Sequence, residues 1–428
     1  ALTETSVALT AGRRRHGIRN ALVVIQVAIA LVLLSGAGLM ARSFARLRSV
    51  QLGLDAAHAF TFRVALLATK YPKSGDAARF LVRTLDDISV VPGVQSAGVV
   101  TKLPLDDEAR QDTALFVEDP PTKPGTIPNI HQSSFASPAY FRALGIPLVE
   151  GHTFEPLDPD RPRRDVIVSR ALAERYWPGG HAVGKRVRMT PVGDWYTIIG
   201  VAGNVRGTTI EQPPDEMIYL PMVVSPAVTG GTGGMGGSAA DPDTARWTPR
   251  DVAVVVRATG SPGLVATQVE DAVRREDPSI PIYAARPMRD VVSRAEARTS
   301  FTLLLLGVAS SIALVLGAVG IYGVIAYVVS LRTREIAVRL ALGARASEVR
   351  RIVVGQALLV TLVGIVAGVV GAIAMTRVLG SLLFGVSPTD LATLFASATA
   401  LLAVACAASW IPARRAAAVD PALALRSE

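Results

Sequence analysis

Few residues in this chain combine the type and spacing that chemistry requires. Five histidines, His16, His58, His131, His152 and His181, are scattered, and none stands in an H-E-x-x-H or other metal-ligating pattern. The stretch Gly179-Gly180-His181-Ala182-Val183-Gly184-Lys185-Arg186 has the G-x-x-x-x-G-K spacing of a phosphate loop, which would cradle ATP. Its eighth residue is Arg where Ser or Thr would hold magnesium, and a helix-like stretch ending in Trp177-Pro178 precedes it where a strand is needed. It therefore reads as a turn entering a strand over 186–189. Gly231-x-Gly233-x-x-Gly236 matches a dinucleotide fingerprint formally, but it lies in a Gly-rich loop, 229–238, with no strand leading in and no helix leaving. Asp106-Asp107-Glu108 could supply an acid/base pair, yet its polar neighbours make a solvated loop the simpler reading. The single cysteine, Cys406, leaves no intrachain disulfide or cysteine-rich metal site. No catalytic, cofactor or metal residue is assigned, and no enzymatic activity is expected of this chain itself.

A different chemistry is offered by Arg332-Thr333-Arg334-Glu335-Ile336-Ala337-Val338-Arg339-Leu340-Ala341-Leu342-Gly343-Ala344. Here guanidiniums project from an otherwise apolar short helix that Gly343 would cap. Such a segment suits anionic headgroups at a membrane face, or an acidic docking surface on a partner protein.

The elements that must position it are membrane spans. Half of the 428 residues are hydrophobic and 18% are charged, too apolar for an ordinary soluble domain. The apolar residues gather into four runs, 21–40, 301–329, 352–375 and 391–411, none with an Asp, Glu, Lys or Arg. Each is near or above the roughly 20 residues that cross a bilayer core. The first run is too long for a signal peptide and has no clear cleavage site, so it is read as a span. The second is longer than a bilayer needs, so its helix is expected to start outside as a stalk. With no ionisable residue in the spans, an ion-coupled transporter or channel is disfavoured. Small residues recur at packing spacing instead: Ala313 and Gly317 in the second span, and Gly364, Gly368 and Gly371 in the third.

Charge sets the orientation. Segments 1–20, 330–351 and 412–428 hold thirteen Arg against five acids and carry nearly all of the net +9, whereas 41–300 is almost neutral. The positive-inside rule places those three segments, and both termini, in the cytoplasm, with 41–300 and the short loop 376–390 outside. A basic chain also invites a nucleic-acid reading, but the bulky domain is neutral and the basic segments abut membrane, so no nucleic-acid partner is expected.

The outer segment reads as mixed α/β. Strands at 60–67 and 94–101 flank a helix at 76–91 with Phe80, Leu81, Leu85 and Ile88 at helical spacing, and 251–257, 262–276 and 280–284 repeat the pattern. Between them an inserted lobe, about 136–250, is expected to hold strands near 166–169, 186–189, 195–205 and 217–220 and a helix at 170–176.

The segment 332–344 resembles the R-T-R-E-I-x-x-R-x-A-L-G-A signature of FtsX/MacB-type ABC transporter permeases. Pro412-Ala413-Arg414-Arg415-Ala416-Ala417 and Asp420-Pro421-Ala422-Leu423-Ala424-Leu425-Arg426 resemble the close of that domain. Pro147-Leu148-Val149-Glu150-Gly151-His152-Thr153-Phe154, Ala171-Leu172-Ala173-Glu174-Arg175-Tyr176-Trp177-Pro178 and Gly184-Lys185-Arg186 are similar to the MacB-like periplasmic core. The resemblance covers nearly the whole chain. It implies an α-helical membrane protein with four transmembrane helices and a large mixed α/β extracytoplasmic domain between the first two. It also implies a bacterial inner-membrane permease; the chain departs from MacB itself in having no true phosphate loop, so it is read as lacking a fused ATPase, with the energy source a separate protein or absent. Arg332, Arg334, Glu335, Arg339, Gly343 and Ala344 would then meet a cytoplasmic ABC-type ATPase subunit, and paired permease units would move the periplasmic domain by mechanotransmission for efflux. The alternative is an FtsX-like relay controlling a periplasmic partner without transport. Ala1-Leu2-Thr3-Glu4 echoes Ala424-Leu425-Arg426-Ser427-Glu428, so the chain is read as the second half of an acidobacterial-type duplicated permease. Its second permease unit is then the preceding half, or otherwise a homodimer mate, and membrane lipids are the remaining partners.

Overall fold

The structure is a computed structural model. It describes residues 2–106, 111–119, 121, 128–191, 193–207, 209–225, 246–331, 336, 338–339, 342, 345–379, 386–387 and 390–417. The chain divides into two compact units, Val50–Ala297 and a second formed by Ala1–Ser49 with Arg298–Glu428.

The membrane unit is built from long helices: α1 (Leu2–Arg48), α6 (Met288–Leu331, whose first residues belong to the outer unit), α7 (Ala346–Leu379) and α8 (Leu391–Ala417). Four helices are long and apolar enough to cross a membrane, with spans at Asn20–Leu47, Met288–Ser330, Ser347–Met375 and Leu391–Arg415. α1 runs well past the charge-free stretch at both ends, because Arg, Ala and Leu in its flanks are good helix formers. α6 has 44 residues, a rise of about 65 Å at 1.5 Å each, about twice a bilayer core. It contains no proline to kink it. The helices share a core of Val23, Val27, Leu31, Ile321, Ile325, Val353, Leu401 and Ala405.

The outer unit is organised by one sheet of twelve strands in the order β12-β1-β11-β2-β5-β10-β7-β9-β8-β4, with β3 on β5 and β6 on β9. Its first four strands are β12 (Ile282–Pro287), β1 (Ala59–Ala65), β11 (Asp251–Ala258) and β2 (Val94–Val100). Every pairing among them is antiparallel, so β1 and β2 run parallel with β11 between them, and β11 and β12 run parallel around β1. With helices α2 (Ser74–Ser89) and α5 (Gly263–Glu276) as crossovers, this is a split βαβ pair. Apolar residues at i, i+3 and i+4 on the helices, Phe80, Leu81, Ile88, Val265, Val269 and Val273, meet Val252, Val254 and Val256 of β11 in the core.

The lobe holds β5 (Ile130–Ala136), α3 (Tyr140–Leu144), β6 (Leu148–Gly151), β7 (Asp165–Ser169), α4 (Arg170–Tyr176), β8 (Arg186–Arg188), β9 (Tyr196–Ala202) and β10 (Met217–Pro221). Its sheet joins the split βαβ part through one residue pair between β2 and β5, Val100 with Ala136, and Arg257 of β11 donates to the Arg142 and Ala143 carbonyls of α3. Two short strands, β3 (Asp112–Ala114) and β4 (Phe116–Val117), add to it. The sequence reading had no strand at β3, β4 or β5. The first two are too short to show a period, and β5 carries Gln132-Ser133-Ser134 where alternation would be sought.

Candidate functional site: helix interface and coupling end

The third span's small residues meet α1. A side-chain carbon added at Gly364 would lie 2.7 Å from Val27 Cβ, and one at Gly368 would lie 2.8 Å from Leu31 Cβ and 3.0 Å from the Ala28 carbonyl. At Gly371 the nearest atom would be Val32 Cγ2, 3.3 Å away. Residues four apart share a helix face, so Gly364 and Gly368 let the α1 backbone approach where any larger residue would hold it off. Gly317 is different, since a carbon added there meets nothing within 4 Å, and Ala313 is half-buried beside the shared core. The second span instead approaches α1 at Gly320, against the Gln26 side chain, and at Ser310, whose hydroxyl lies 2.7 Å from Leu306 O and 2.9 Å from Leu33 O. Neither contact was foreseen. Gln26 is the one amide in a first run whose other polar side chain is Ser35, and that is the signal that could have found it.

At the other end of α1, Gly38 faces Thr393, 2.7 Å from an added carbon to Cγ2, and Arg42 pairs with Asp390. Asp390 also caps α8, accepting from Thr393 N–H at 3.0 Å. The Thr393 hydroxyl and N–H, with Arg42 behind them, hold this carboxyl below its usual range.

Of the six expected coupling residues, Arg332, Arg334, Glu335, Gly343 and Ala344 lie outside the described residues. Arg339 is described, helical and exposed, and Leu342 N–H donates to Val338 O at 3.0 Å. Arg339 edges a groove whose other walls are Ile325, Val328 and Val329 of α6, Ile336, and Val349, Ile352, Val353 and Gln356 of α7.

The outer unit holds no metal cluster among the described residues. His58 meets Asp55, His152 meets Thr153 O, and His181 meets Glu150, all within about 3 Å. His131 is buried between Glu216, 2.9 Å from Nδ1, and the Tyr176 hydroxyl, 2.8 Å from Nε2. Gly179 and Gly184 take φ of 72° and 86° in a turn between helix α4 and strand β8, the reverse of the strand-to-helix order of a phosphate loop. Gly184 N–H donates to Ile198 O at 2.8 Å, and Lys185 Nζ donates to Asp119 at 2.5 Å, so the loop's donors serve the fold. Gly231, Gly233 and Gly236, with Asp107 and Glu108, lie outside the described residues.

Four helices long and apolar enough to cross a membrane, with a mixed α/β domain between the first two, define the architecture of an integral membrane protein. Residues 21–276 match the MacB-like periplasmic core domain, and residues 307–421 match the FtsX-like permease C-terminal family. The chain belongs to the FtsX/MacB-type ABC transporter permease family. Among curated relatives, the macrolide export ATP-binding/permease protein MacB of Marinobacter nauticus is 27% identical over 303 residues, covering 70% of this chain and 43% of its own. The pyoverdine export ATP-binding/permease protein PvdT of Pseudomonas putida is 27% identical over 290 residues, 66% of this chain and 41% of its own. The chain thus spans less than half the length of these relatives. The solved periplasmic region of MacB from Actinobacillus actinomycetemcomitans aligns with 57% of this chain and 94% of its own, at 14% identity and a TM-score of 0.34.

Proposed function

We propose that this chain is the permease subunit of an ATP-driven exporter, set in a bacterial inner membrane with both termini and segment 330–351 cytoplasmic and the outer domain periplasmic. The observation that carries this reading is the pairing, in one chain, of a MacB-like core over 21–276 with an FtsX-like permease region over 307–421. In this reading Arg332, Arg334, Glu335, Arg339, Gly343 and Ala344 form the contact with a separate ABC-type ATPase subunit. ATP-driven closure of two permease units, a homodimer or two halves of a duplicated chain, then moves the periplasmic domains. α6 supports a mechanical route, because one helix without proline includes residues of both units. Charge-free spans support it too, since the cargo need not pass between them. Two relatives are named for macrolide and pyoverdine export, which fits an amphiphile, peptide, lipoprotein or antibiotic as cargo.

The test is purification of the protein from its own membranes in mild detergent, with mass spectrometry and an ATPase assay. An ATP-binding subunit is expected to co-purify, and Glu335→Ala with Arg339→Ala should uncouple its hydrolysis from export. A permease that emerges alone, or coupling that survives both substitutions, overturns the assignment. Coupled ATP hydrolysis that switches a periplasmic partner while moving no cargo would replace export by a signalling relay.

A further inference from the structure

The segment between α1 and β1, residues 49–58, has the length of a loose linker and none of its character. A flexible linker is rich in Gly or Ser and solvated. Gln51-Leu52-Gly53-Leu54-Asp55-Ala56-Ala57-His58 has one glycine, and every residue from Leu52 to Ala56 is partly buried. The segment is bonded to the lobe before the chain reaches β1. Arg206 N–H, in the connection between β9 and β10, donates to Leu52 O at 3.2 Å. Gly53 takes a φ of 77° and lies so close to Asn204 that an added side-chain carbon would overlap the Asn204 carbonyl oxygen. Asn204 is itself anchored, since its side chain accepts from Ala171 N–H, at the start of α4, at 2.7 Å.

A second attachment is made to α3. A helix leaves its last carbonyls without partners of its own. Asp55 N–H donates to one of them, Leu144 O, at 2.8 Å. Arg257 of β11 serves two more from Nε, Arg142 O at 3.1 Å and Ala143 O at 3.2 Å, and donates from Nη1 to the Asp55 carboxylate at 2.9 Å. That carboxylate also accepts from Ala57 N–H at 3.0 Å. One guanidinium thus closes the segment onto the end of α3. The ladder with β11 begins just beyond, where Ala258 N–H donates to His58 O at 2.9 Å. The other outward connection is built differently. α6 starts at Met288, immediately after Pro287, the last residue of β12, which lies opposite Phe60 of β1. Met288 and Val291 are buried. The chain leaving α1 therefore meets the lobe first, whereas α6 is continuous with a strand of the split βαβ part.

We infer that segment 50–58 is a strap that carries displacement of α1 to the lobe, while α6 carries displacement to the split βαβ part. The inference rests on the mechanical reading above and gives the two helices separate points of application on the outer unit. Gly53 and Asp55 are positioning residues in the strap. Gly53 permits the approach to Asn204, and Asp55 fastens the chain to α3 and Arg257.

The full chain carrying Cys406→Ser, in lipid nanodiscs without any ATPase, is spin-labelled at Ser49→Cys, beside the end of α1, and at Arg170→Cys on α4, both exposed positions. Pulsed electron resonance then reads the distribution of distances between them, which should be narrow. A four-residue Gly/Ser insertion between Ser49 and Val50 puts slack ahead of the docking points and should broaden the distribution by about 10 Å. The same insertion between Ala56 and Ala57 puts the slack behind them and should leave the width as it is. Gly53→Ala should broaden the distribution too, and should let the Asp55 and Arg206 N–H groups exchange with solvent at least about tenfold faster. Equal widths for the two insertions overturn the inference, as does parental exchange at Asp55 and Arg206 in a folded Gly53→Ala variant. With no ATPase present, failure here strikes the strap alone. Failure of the exporter reading shows in the co-purification experiment and leaves these widths unchanged.

Discussion

The outer unit and the membrane unit solve the same packing problem with opposite materials. In the outer unit Arg63 of β1 is buried, its guanidinium 2.8 Å from Asp251 and 3.3 Å from the Tyr283 hydroxyl, with Asp106 at 4.0 Å and Thr101 O at 3.4 Å. It thereby ties β11, β12 and the segment after β2 to one side chain. The strands can accept it because each of its three nitrogens donates to an oxygen, Nε and Nη2 to Asp251 and Nη1 to Thr101 O. In the membrane unit the corresponding closeness between α1 and α7 comes from side chains that are missing, at Gly364 and Gly368, and charge is confined to the ends, as at Arg42 and Asp390. The difference follows from solvent. Apolar burial already drives the outer core together, so a satisfied charge is tolerated there, whereas in hydrocarbon the helices gain little from apolar burial and depend on close contact.

Removing the charge should therefore be the most damaging single change. Arg63→Ala leaves Asp106 buried beside an emptied site, and should cost the outer unit about 3–5 kcal/mol. Urea unfolding followed by tryptophan fluorescence reads this, since Trp177, Trp195 and Trp247 all belong to that unit. A loss below about 1 kcal/mol would mean that the guanidinium is a surface pair in effect. Arg63→Lys should recover only part, because one ammonium cannot face four directions.

Adding a side chain should be the matching injury in the membrane unit. Gly364→Leu and Gly368→Leu each force α7 off α1 and should cost about 1–3 kcal/mol, seen as a lower midpoint for loss of the monodisperse species on heating in detergent. Gly317→Leu is the internal control and should be close to neutral in that assay, as nothing lies within 4 Å of the added carbon. If all three behave alike, general helix propensity and not the α1 contact governs the effect.

These two sites also show what a sequence displays and what it conceals. Four spans are legible because absence of charge over some twenty residues is a local property, and α2 and α5 are legible because Phe80, Leu81, Leu85 and Ile88 repeat on one face. The family signature at 332–344 is likewise contiguous. Gly364 and Gly368 announce a packing motif through their spacing, but their partner, α1, is more than three hundred residues away in sequence. Gly317 shows that small residues at similar spacing can face open space. Arg63 gives no sign at all, since its role depends on the register that sets Arg63 opposite Tyr283 and brings Asp251 alongside. The polar strand β5 was hidden for a related reason: Ser133 and Ser134 are buried, and Ser134 is held by hydrogen bonds to Thr101 and to Lys102 N–H that only the folded sheet supplies.

The outer unit's reliance on ionic ties makes it the pH-sensitive half. Burial raises the Asp55 carboxyl, but hydrogen bonds from His58, Arg257 and the Ala57 N–H outweigh this and bring it down to about 2. Arg257 reaches it at 2.9 Å past Gly145, whose φ of 70° ends α3 and where an added carbon would lie 2.5 Å from the guanidinium. A carboxyl lowered by folding contributes stability above its unfolded value, near 3.9, and loses it as pH falls toward 2. Asp55→Asn should flatten that part of the acid limb of the outer unit's urea midpoint. An unchanged limb would assign it to other carboxylates.

The smallest expected effect concerns His131. Burial lowers its affinity for a proton; Glu216 opposes that, and Arg175 adds to it. Because the unfolded chain then takes up a proton more readily than the folded one, the contribution of this residue is complete above about pH 6.5 and declines as pH drops below it. Glu216 stays within reach of Nδ1 and the Tyr176 hydroxyl within reach of Nε2, so protonation weakens the lobe without emptying the site. His131→Asn should remove the slope that begins below about pH 6.5 while the steeper loss near pH 3 persists. Should the slope survive that substitution, the ionic ties of the outer unit titrate as a group and not residue by residue. The contrast with the membrane unit would then sharpen, because its apolar runs 21–40, 301–329, 352–375 and 391–411 hold no carboxylate or imidazole to titrate.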